Sequence, residues 1–305
     1  MRDYSVIEAD RRAEAPPAWR EYLALCKPRV VSLIVFTAVI GMFLSTDGMV
    51  PLAALLFGTA GIGLAASAGA AINHIADRHI DAVMARTRGR PLPTGRLDTL
   101  RAVVFASALC AISMAMLILK VNTLTAVLTF ASMIGYSVVY TVFLKYRTPQ
   151  NIVIGGAAGA MPPVLGWTSV TGSVDPHALL LFLIIFAWTP PHFWALAIHR
   201  KDDYARAHIP MLPVTHGVAF TRTYVLLYTV VLFVISLLPF VTRMSGALYL
   251  VAALSLGAGF LYHSLVLYRG RDRRAPWRTF KYSIHYLSGL FAALLIDHYY
   301  PILMG

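Results

Sequence analysis

The sequence predicts an all-α polytopic membrane protein, a bundle of nine transmembrane helices, on three observations. Hydrophobic residues make up 58% of the 305 and charged residues only 13%, about half the quarter expected of a soluble domain. Nine apolar runs each approach the ~20 residues that cross a bilayer as helix. The Lys and Arg residues are sorted between alternate connections, as topology signals are. Only helices or closed barrels satisfy every backbone group in lipid, and runs of this length are helices.

Residues 1–28 contain Glu8, Asp10, Glu14 and Glu21 and no apolar core. They read as a polar cytoplasmic tail, matching neither a cleaved signal peptide nor an acid-poor presequence. Residues 29–305 form a single transmembrane domain. Its spans are 29–46, 51–72, 100–119, 122–144, 151–169, 178–197, 223–241, 246–268 and 282–303. Asp98, just ahead of the third, is a helix N-cap. The ninth carries Asp297 and His298 near its end, which dilutes its apolar signal. Cys26 and Cys110 offer no disulfide framework and no metal-ligand spacing; they read as small buried residues.

With the N-terminus inside, only Lys120 and Arg243 of the 26 Lys and Arg fall outside. That is the positive-inside pattern. It places the long polar connections 73–99, 198–222 and 269–281 in the cytoplasm, and a bacterial inner membrane is the simplest address. The net charge of +12 is therefore a topology signal, and no nucleic-acid partner is expected.

The chemistry is concentrated where the second span ends. Residues 51–72 hold no charge, and the chain then runs through Asn73, Asp77 and Asp81. Ionisable side chains at a membrane helix mouth are costly unless something multivalent sits there. The spacing i, i+4, i+8 drifts ~40° and rises ~6 Å per step, so all three share one helix face. Hard oxygen ligands in a row suit Mg²⁺, which keeps several waters and binds through a few carboxylates plus substrate phosphates. Asp202 and Asp203 follow the sixth span. If spans one to four and five to eight are two similar halves, the two acidic groups occupy equivalent places. Facing each other, they would hold two Mg²⁺ ions around one diphosphate. The competing reading pairs each acid with a nearby arginine in a solvated loop; the shared face and common membrane side favour the metal.

Arg86, Arg88 and Arg90 precede Pro91, Lys145 and Arg147 close the fourth span, and Lys27 and Arg29 open the first. Cations of this kind clasp phosphate oxygens, Arg in bidentate fashion. For Lys27, Arg29, Arg88 and Arg147 that role and a topology anchor stand equally.

These residues carry a pattern. Asn-x-x-x-Asp-x-x-x-Asp followed by Met84-x-Arg86-Thr87-x-x-Arg90-Pro91-Leu92-Pro93 resembles the UbiA superfamily of intramembrane prenyltransferases. Three further stretches narrow the match to the branch that farnesylates haem. They are Lys27-Pro28-Arg29-Val30, the run from Lys145 to Trp167, and Trp188-Thr-Pro-Pro-His192-Phe193-Trp194 with Lys201-Asp202-Asp203-Tyr204 and Ile209-Pro-Met-Leu-Pro-Val214. The resemblance covers about residues 20–300. It departs at His208, where relatives are expected to carry Gly. It implies a nine-helix bundle of the UbiA type, a cavity open to the cytoplasm and the membrane, and Mg²⁺ dependence. It implies farnesyl diphosphate and haem B as substrates and haem O as product. It also places Arg86, Arg90 and Lys145, with Lys27, on the diphosphate.

On that footing Asn73, Asp77, Asp81 and Asp203, with Asp202, hold two Mg²⁺ ions. Tyr136, Tyr140 and Tyr204 line the path of a farnesyl cation or are packing and interface aromatics. His192, inside an apolar span, is an axial contact to haem iron or a hydrogen-bonded packing histidine, and His199 is the second candidate. Trp188 and Trp194 stack on porphyrin or anchor the interface. His74 and His79 sit behind the oxygen ligands or in solvent, since Mg²⁺ prefers oxygen. A haem A synthase or a terminal oxidase is a candidate partner within the bilayer. A prenyltransferase acting on an aromatic quinone precursor shares the acidic motifs. A transporter would place acids at the midplane; here they gather at one membrane face.

Overall fold

The computed structural model describes residues 18–84 and 87–304, the side chains of 301–304 excepted, and its regular elements are all helical. Helices α1 (Ala18–Leu25) and α2 (Pro28–Leu44) meet at a 50° bend. The bend lies at Lys27, whose φ of 49° is left-handed, and Pro28 opens α2, where no donor is needed. Part of the segment expected to be a tail is thus helical, and Glu21 and Leu25 on it are buried. Helix α3 (Ala54–Val83) carries the second span straight through the acidic motif. Asp98 caps α4 (Thr99–Lys120) as expected, accepting from Leu100 N and Arg101 N.

Helix α5 (Thr123–Arg147) starts on an Asn122 cap and is π-helical from Gly135 to Leu144. Such wide turns recur at functional sites. Helices α6 (Asn151–Ala160) and α7 (Pro162–Thr171) divide at Met161. The remainder is α8 (Pro176–His199), α9 (Lys201–Arg206), α10 (Leu212–Thr215), α11 (Gly217–Ile235), α12 (Leu238–Val241), α13 (Ala247–Arg269) and α14 (Ala275–Met304).

Among the described residues six helices are long and apolar enough to cross a membrane, seven if α1 and α2 count as one span. The chain is a multi-pass membrane protein, but the count of nine is not reproduced, for local reasons. Helix α2 alone has 17 residues. The fifth expected span splits into two pieces at Met161 because Pro162 and Pro163 have no N–H to continue the helical hydrogen bonds. Helix α14 interrupts its apolar run with Lys281, His285, Asp297 and His298.

Those last polar groups have partners. Asp297 accepts from Gly246 N and Tyr249 N (3.1 Å), capping α13 from a different helix. His298 bonds the Thr46 carbonyl at 3.0 Å. The large apolar side chains left exposed, such as Leu119, Val127, Val231 and Val251, form the lipid face.

Inside, Leu181, Ile184, Tyr249, Phe260 and Phe291 form one buried cluster. A second gathers Met84, Ile152, Trp194, Ile209 and Met211 at the acidic end of the bundle. Helices α2 and α7 touch backbone to backbone: a Cβ on Gly41 would overlap the Pro163 carbonyl, and one on Gly166 the Ala38 carbonyl. Small residues permit this contact, which membrane helices use in place of hydrophobic drive. Cys26 and Cys110 are half-buried, less enclosed than expected. His208 has φ 52°, a left-handed backbone in which glycine is at ease, at the position where the resemblance anticipates Gly.

Candidate functional site

Helix α3 presents Asn73, Asp77 and Asp81 along one buried face, and each carboxylate is only 3% exposed. Buried charge of this kind must be paired, and it is. Lys145, from the end of α5, donates to Asp77 Oδ2 at 2.6 Å. The Tyr146 hydroxyl donates to Asp77 Oδ1 at 2.6 Å. Arg90 donates to Asp81 Oδ2 at 2.6 Å. The Asn73 amide donates to Asp77 Oδ2 at 3.0 Å and to Thr141 Oγ1 at 3.2 Å. Its oxygen accepts from the Lys27 ammonium.

The elements explain why these groups meet. The left-handed turn at Lys27 swings its side chain off the end of α2 towards α3. Backbone in that region is uncommon outside glycine and clusters at functional sites. The π-helical stretch of α5 sets Thr141 against Asn73 and Lys145 with Tyr146 against Asp77. The Thr87 hydroxyl donates to the Asp81 carbonyl at 3.0 Å, folding the loop after α3 back so that Arg90 reaches the carboxylate. Burial, and next the nearby Arg90 guanidinium, push the Lys27 ammonium down to about 7.

Of the expected basic residues, Lys27, Arg90 and Lys145 converge on the acidic face. Arg86 lies outside the described residues. Arg88 and Arg147 are exposed, Arg147 lying over the Phe143 ring. The second acidic motif is placed differently from the first. Tyr204 packs on the same hydrophobic cluster as Met84, Ile80 and Tyr146, at the acidic end of the bundle. Asp203, however, pairs with Arg206 at 2.6 Å and Arg200 at 3.6 Å on its own turn, and Asp202 is exposed.

The donor set suits a hard cation: one amide and four carboxylate oxygens in line on α3. Among the described residues no three Asp, Glu, His or Cys form a group able to hold a metal ion. Mg²⁺ bound here would complete its shell with water and phosphate oxygens, its usual habit.

Tyr136 and Tyr140 stack, centroids 5.8 Å apart, on the π-helical turn. His192 is buried between Trp188 at 4.1 Å and Phe280 at 4.7 Å. Its Nδ1 lies 2.7 Å from Ser283 Oγ, while Ser283 gives its one proton to the Phe280 carbonyl at 2.6 Å. With the Ser283 proton on the Phe280 carbonyl, Nδ1 would donate to Ser283 and Nε2 would keep its lone pair. His199 is exposed and tilts against Trp277 at 5.2 Å. Trp188 and Trp194 are both buried, with Trp188 donating to the Ser283 carbonyl, so neither sits as an interface anchor.

Sequence reasoning missed Tyr146, Thr141 and Thr87. Tyr146 had a signal, since it follows Lys145 directly at the end of an apolar span. Thr141 had one only through the π-helix, which no periodicity announces.

The family model of the UbiA prenyltransferase family matches residues 34–292. The chain is 62% identical over 283 residues to a protoheme IX farnesyltransferase of Nitrosococcus oceani, covering 93% of this chain and 95% of that one. It is 60% identical to the enzyme of the same name from Hahella chejuensis, covering 95% and 97%. Among solved structures it is similar to a digeranylgeranylglyceryl phosphate synthase, with TM-score 0.78 at 18% identity over 92% of this chain and 98% of that one. It is also similar to a UbiA homologue from Archaeoglobus fulgidus bound to DMAPP and Mg²⁺, with TM-score 0.60 at 16% identity over 90% and 99%. These likenesses establish the bundle.

Proposed function

The chain belongs to the UbiA prenyltransferase family, and from that premise we propose that it transfers a farnesyl group from farnesyl diphosphate to a vinyl group of haem B. Water is added in the same reaction, giving haem O and diphosphate. One observation carries the reading to residues: Asp77 and Asp81, buried and one turn apart, are each held by a cation from a different element. Such a face is organised to exchange partners when a metal-bound diphosphate arrives.

Asn73, Asp77 and Asp81, joined by Asp203 and Asp202 from α9, would hold two Mg²⁺ ions. Bound there, Mg²⁺ neutralises charge on the diphosphate and makes it a better leaving group. Lys145 and Arg90, freed from the carboxylates, turn to phosphate oxygens, and Lys27 and Arg86 join them. As the allylic C–O bond breaks, its electron pair goes to the diphosphate, and these fixed cations stabilise the developing charge. Tyr136, Tyr140 and Tyr204 offer ring faces to the farnesyl cation and keep early water away. The vinyl π electrons form the new C–C bond. Water then attacks the carbon beside the porphyrin and loses a proton, leaving the hydroxyl. His192, through Nε2, is the proposed iron contact, with His199 the exposed alternative and Trp188 and Trp194 as the wall behind.

The orientation follows from the charges: the site faces the cytoplasm across a bacterial inner membrane. A haem A synthase or terminal oxidase as neighbour fits an apolar product that leaves through the bilayer.

The test is reconstitution. Purified protein in liposomes with haem B, farnesyl diphosphate and Mg²⁺ should yield a haem that elutes later on reversed phase, at the mass of haem O. EDTA should abolish it. Prenylation of a phenolic acid with no change to haem would overturn the assignment.

A further inference from the structure

Helix α14 divides its first turns between two faces. Thr279, Ser283, Tyr286, Leu287 and Leu290 are buried against the bundle. Trp277, Lys281 and His285 recur at every fourth residue and are all exposed, so they form one strip that rises about 6 Å per step. The lipid face made by Leu119, Val127, Val231 and Val251 is apolar; this strip carries an indole, an ammonium and an imidazole instead. Ionisable groups within or at the mouth of a membrane span mark a ligand path more often than bare lipid contact.

The ammonium is fixed in place and left without a counter-charge. Lys281 Nζ lies 5.9 Å from the centroid of the Trp277 ring, a cation–π contact. No carboxylate among the described residues forms an ion pair with it. The one acid of the 269–281 connection, Asp272, is already held by Arg278 at 3.1 Å.

The strip is also continuous with the surroundings of His192. The Phe280 ring stacks on Trp277 at 5.3 Å and lies 4.7 Å from the His192 ring. His199 tilts against Trp277 at 5.2 Å. An occupant of this surface needs a flat apolar body for the aromatic rings and an anionic group for Lys281. Haem B has both, a porphyrin plane and two propionate carboxylates on one edge. Its vinyl groups occupy the opposite edge.

We propose that Lys281 takes a propionate carboxylate of haem B, with Trp277 holding the ammonium in position, so that the acceptor is bound by its charged edge and its vinyl edge is left free to react. The proposal rests on the haem-farnesylation reading above and adds the group that recognises the acceptor's charge.

The experiment is absorbance titration of purified full-length protein in detergent with haem B and with haem B dimethyl ester, whose esterified propionates carry no charge. Haem O formation with Mg²⁺ and farnesyl diphosphate is measured on the same preparations. Wild type should bind haem B about tenfold more tightly than the ester, the scale of a charge-assisted contact. Lys281→Gln should weaken haem B binding about tenfold and leave ester binding unchanged, which erases the preference; Lys281→Arg should keep it. In turnover Lys281→Gln should raise the KM for haem B by a similar factor and leave the KM for farnesyl diphosphate as it was. Lys120→Gln, an exposed lysine at the opposite membrane face, should change none of these. Wild type that binds both porphyrins equally overturns the anchor. So does an equal loss for both porphyrins in Lys281→Gln, which would make Lys281 an interface residue that supports the helix. Absence of haem O formation, with the preference and its loss in Lys281→Gln intact, would instead remove the reaction and leave the carboxylate site standing.

Discussion

The Tyr146 hydroxyl donates to Asp77 Oδ1 at 2.6 Å, on the oxygen that Lys145 leaves open. Tyr146 thereby fixes the carboxylate's rotation without adding charge. Groups that orient metal-binding carboxylates are worth about 10–100-fold in metal affinity. Tyr146→Phe should raise the Mg²⁺ concentration for half-maximal turnover about tenfold, with a smaller effect on kcat at saturating Mg²⁺. A Mg²⁺ titration of haem O formation measures it. An unchanged half-point would reduce the contact to packing.

Asp81 and Arg90 form a pair that ought not to be cut from the Arg side alone. Removing one partner strands a buried charge, at about 3–5 kcal/mol. Asp81→Asn keeps shape and a hydrogen-bond acceptor. It should cut turnover more than about 100-fold, because a carboxylate that holds metal is lost, while the protein still purifies as a folded helical species. Arg90→Ala should lower yield as well as activity. Circular dichroism of the purified variants separates the two outcomes, and near-normal turnover in Asp81→Asn would remove the acidic face from the mechanism.

Ser283 Oγ lies 2.7 Å from His192 Nδ1, and an Nδ1–H donated to it would leave Nε2 its lone pair. If that nitrogen meets haem iron, Ser283→Ala should weaken haem B binding about tenfold, and His192→Ala should abolish the Soret shift on titration. Identical titrations in wild type and both variants would return His192 to packing.

Much of this was legible in the sequence, and the omissions have causes. Asn73, Asp77 and Asp81 could be placed on one face because a four-residue step nearly closes a turn, and Asp98 could be named a cap because its chemistry is local. The partners of those three side chains could not. Lys27 and Tyr146 lie 46 and 69 residues from theirs, and their approach depends on a left-handed residue and a π-helix that local propensity does not announce. The span count failed for a related reason. Apolar content marks a segment as buried in lipid or protein, and it does not say that Pro162 breaks the segment or that Asp297 has backbone donors of α13 to cap. Asp203 was expected to face Asp77; arginines at i−3 and i+3 satisfy it first.

Gly166 should tolerate no side chain. Its missing Cβ would overlap the Ala38 carbonyl, which is backbone and cannot rotate away. Gly166→Ala should therefore push α2 from α7 and cost about 1–3 kcal/mol, read as a lower melting temperature in detergent. An unaltered melt would mean the two helices separate freely. Ala at exposed Gly48, where nothing lies within 4 Å, is the matched control.

Asp297 tests whether the far end of the bundle serves stability alone. Its carboxylate satisfies two backbone donors at the start of α13, the work of a helix cap supplied from another helix. Removing a cap costs about 0.5–2 kcal/mol; of the two freed donors Tyr249 N belongs to a buried residue and Gly246 N to an exposed one. Asp297→Ala should lower the melting temperature, while Asp297→Asn, which retains an acceptor oxygen, should recover most of the loss. Haem O formation below the melting range should match wild type in both, since the bonds of Asp297 go to the start of α13 and not to the acidic face of α3. A fall in turnover without a fall in stability would instead couple the two ends of the bundle.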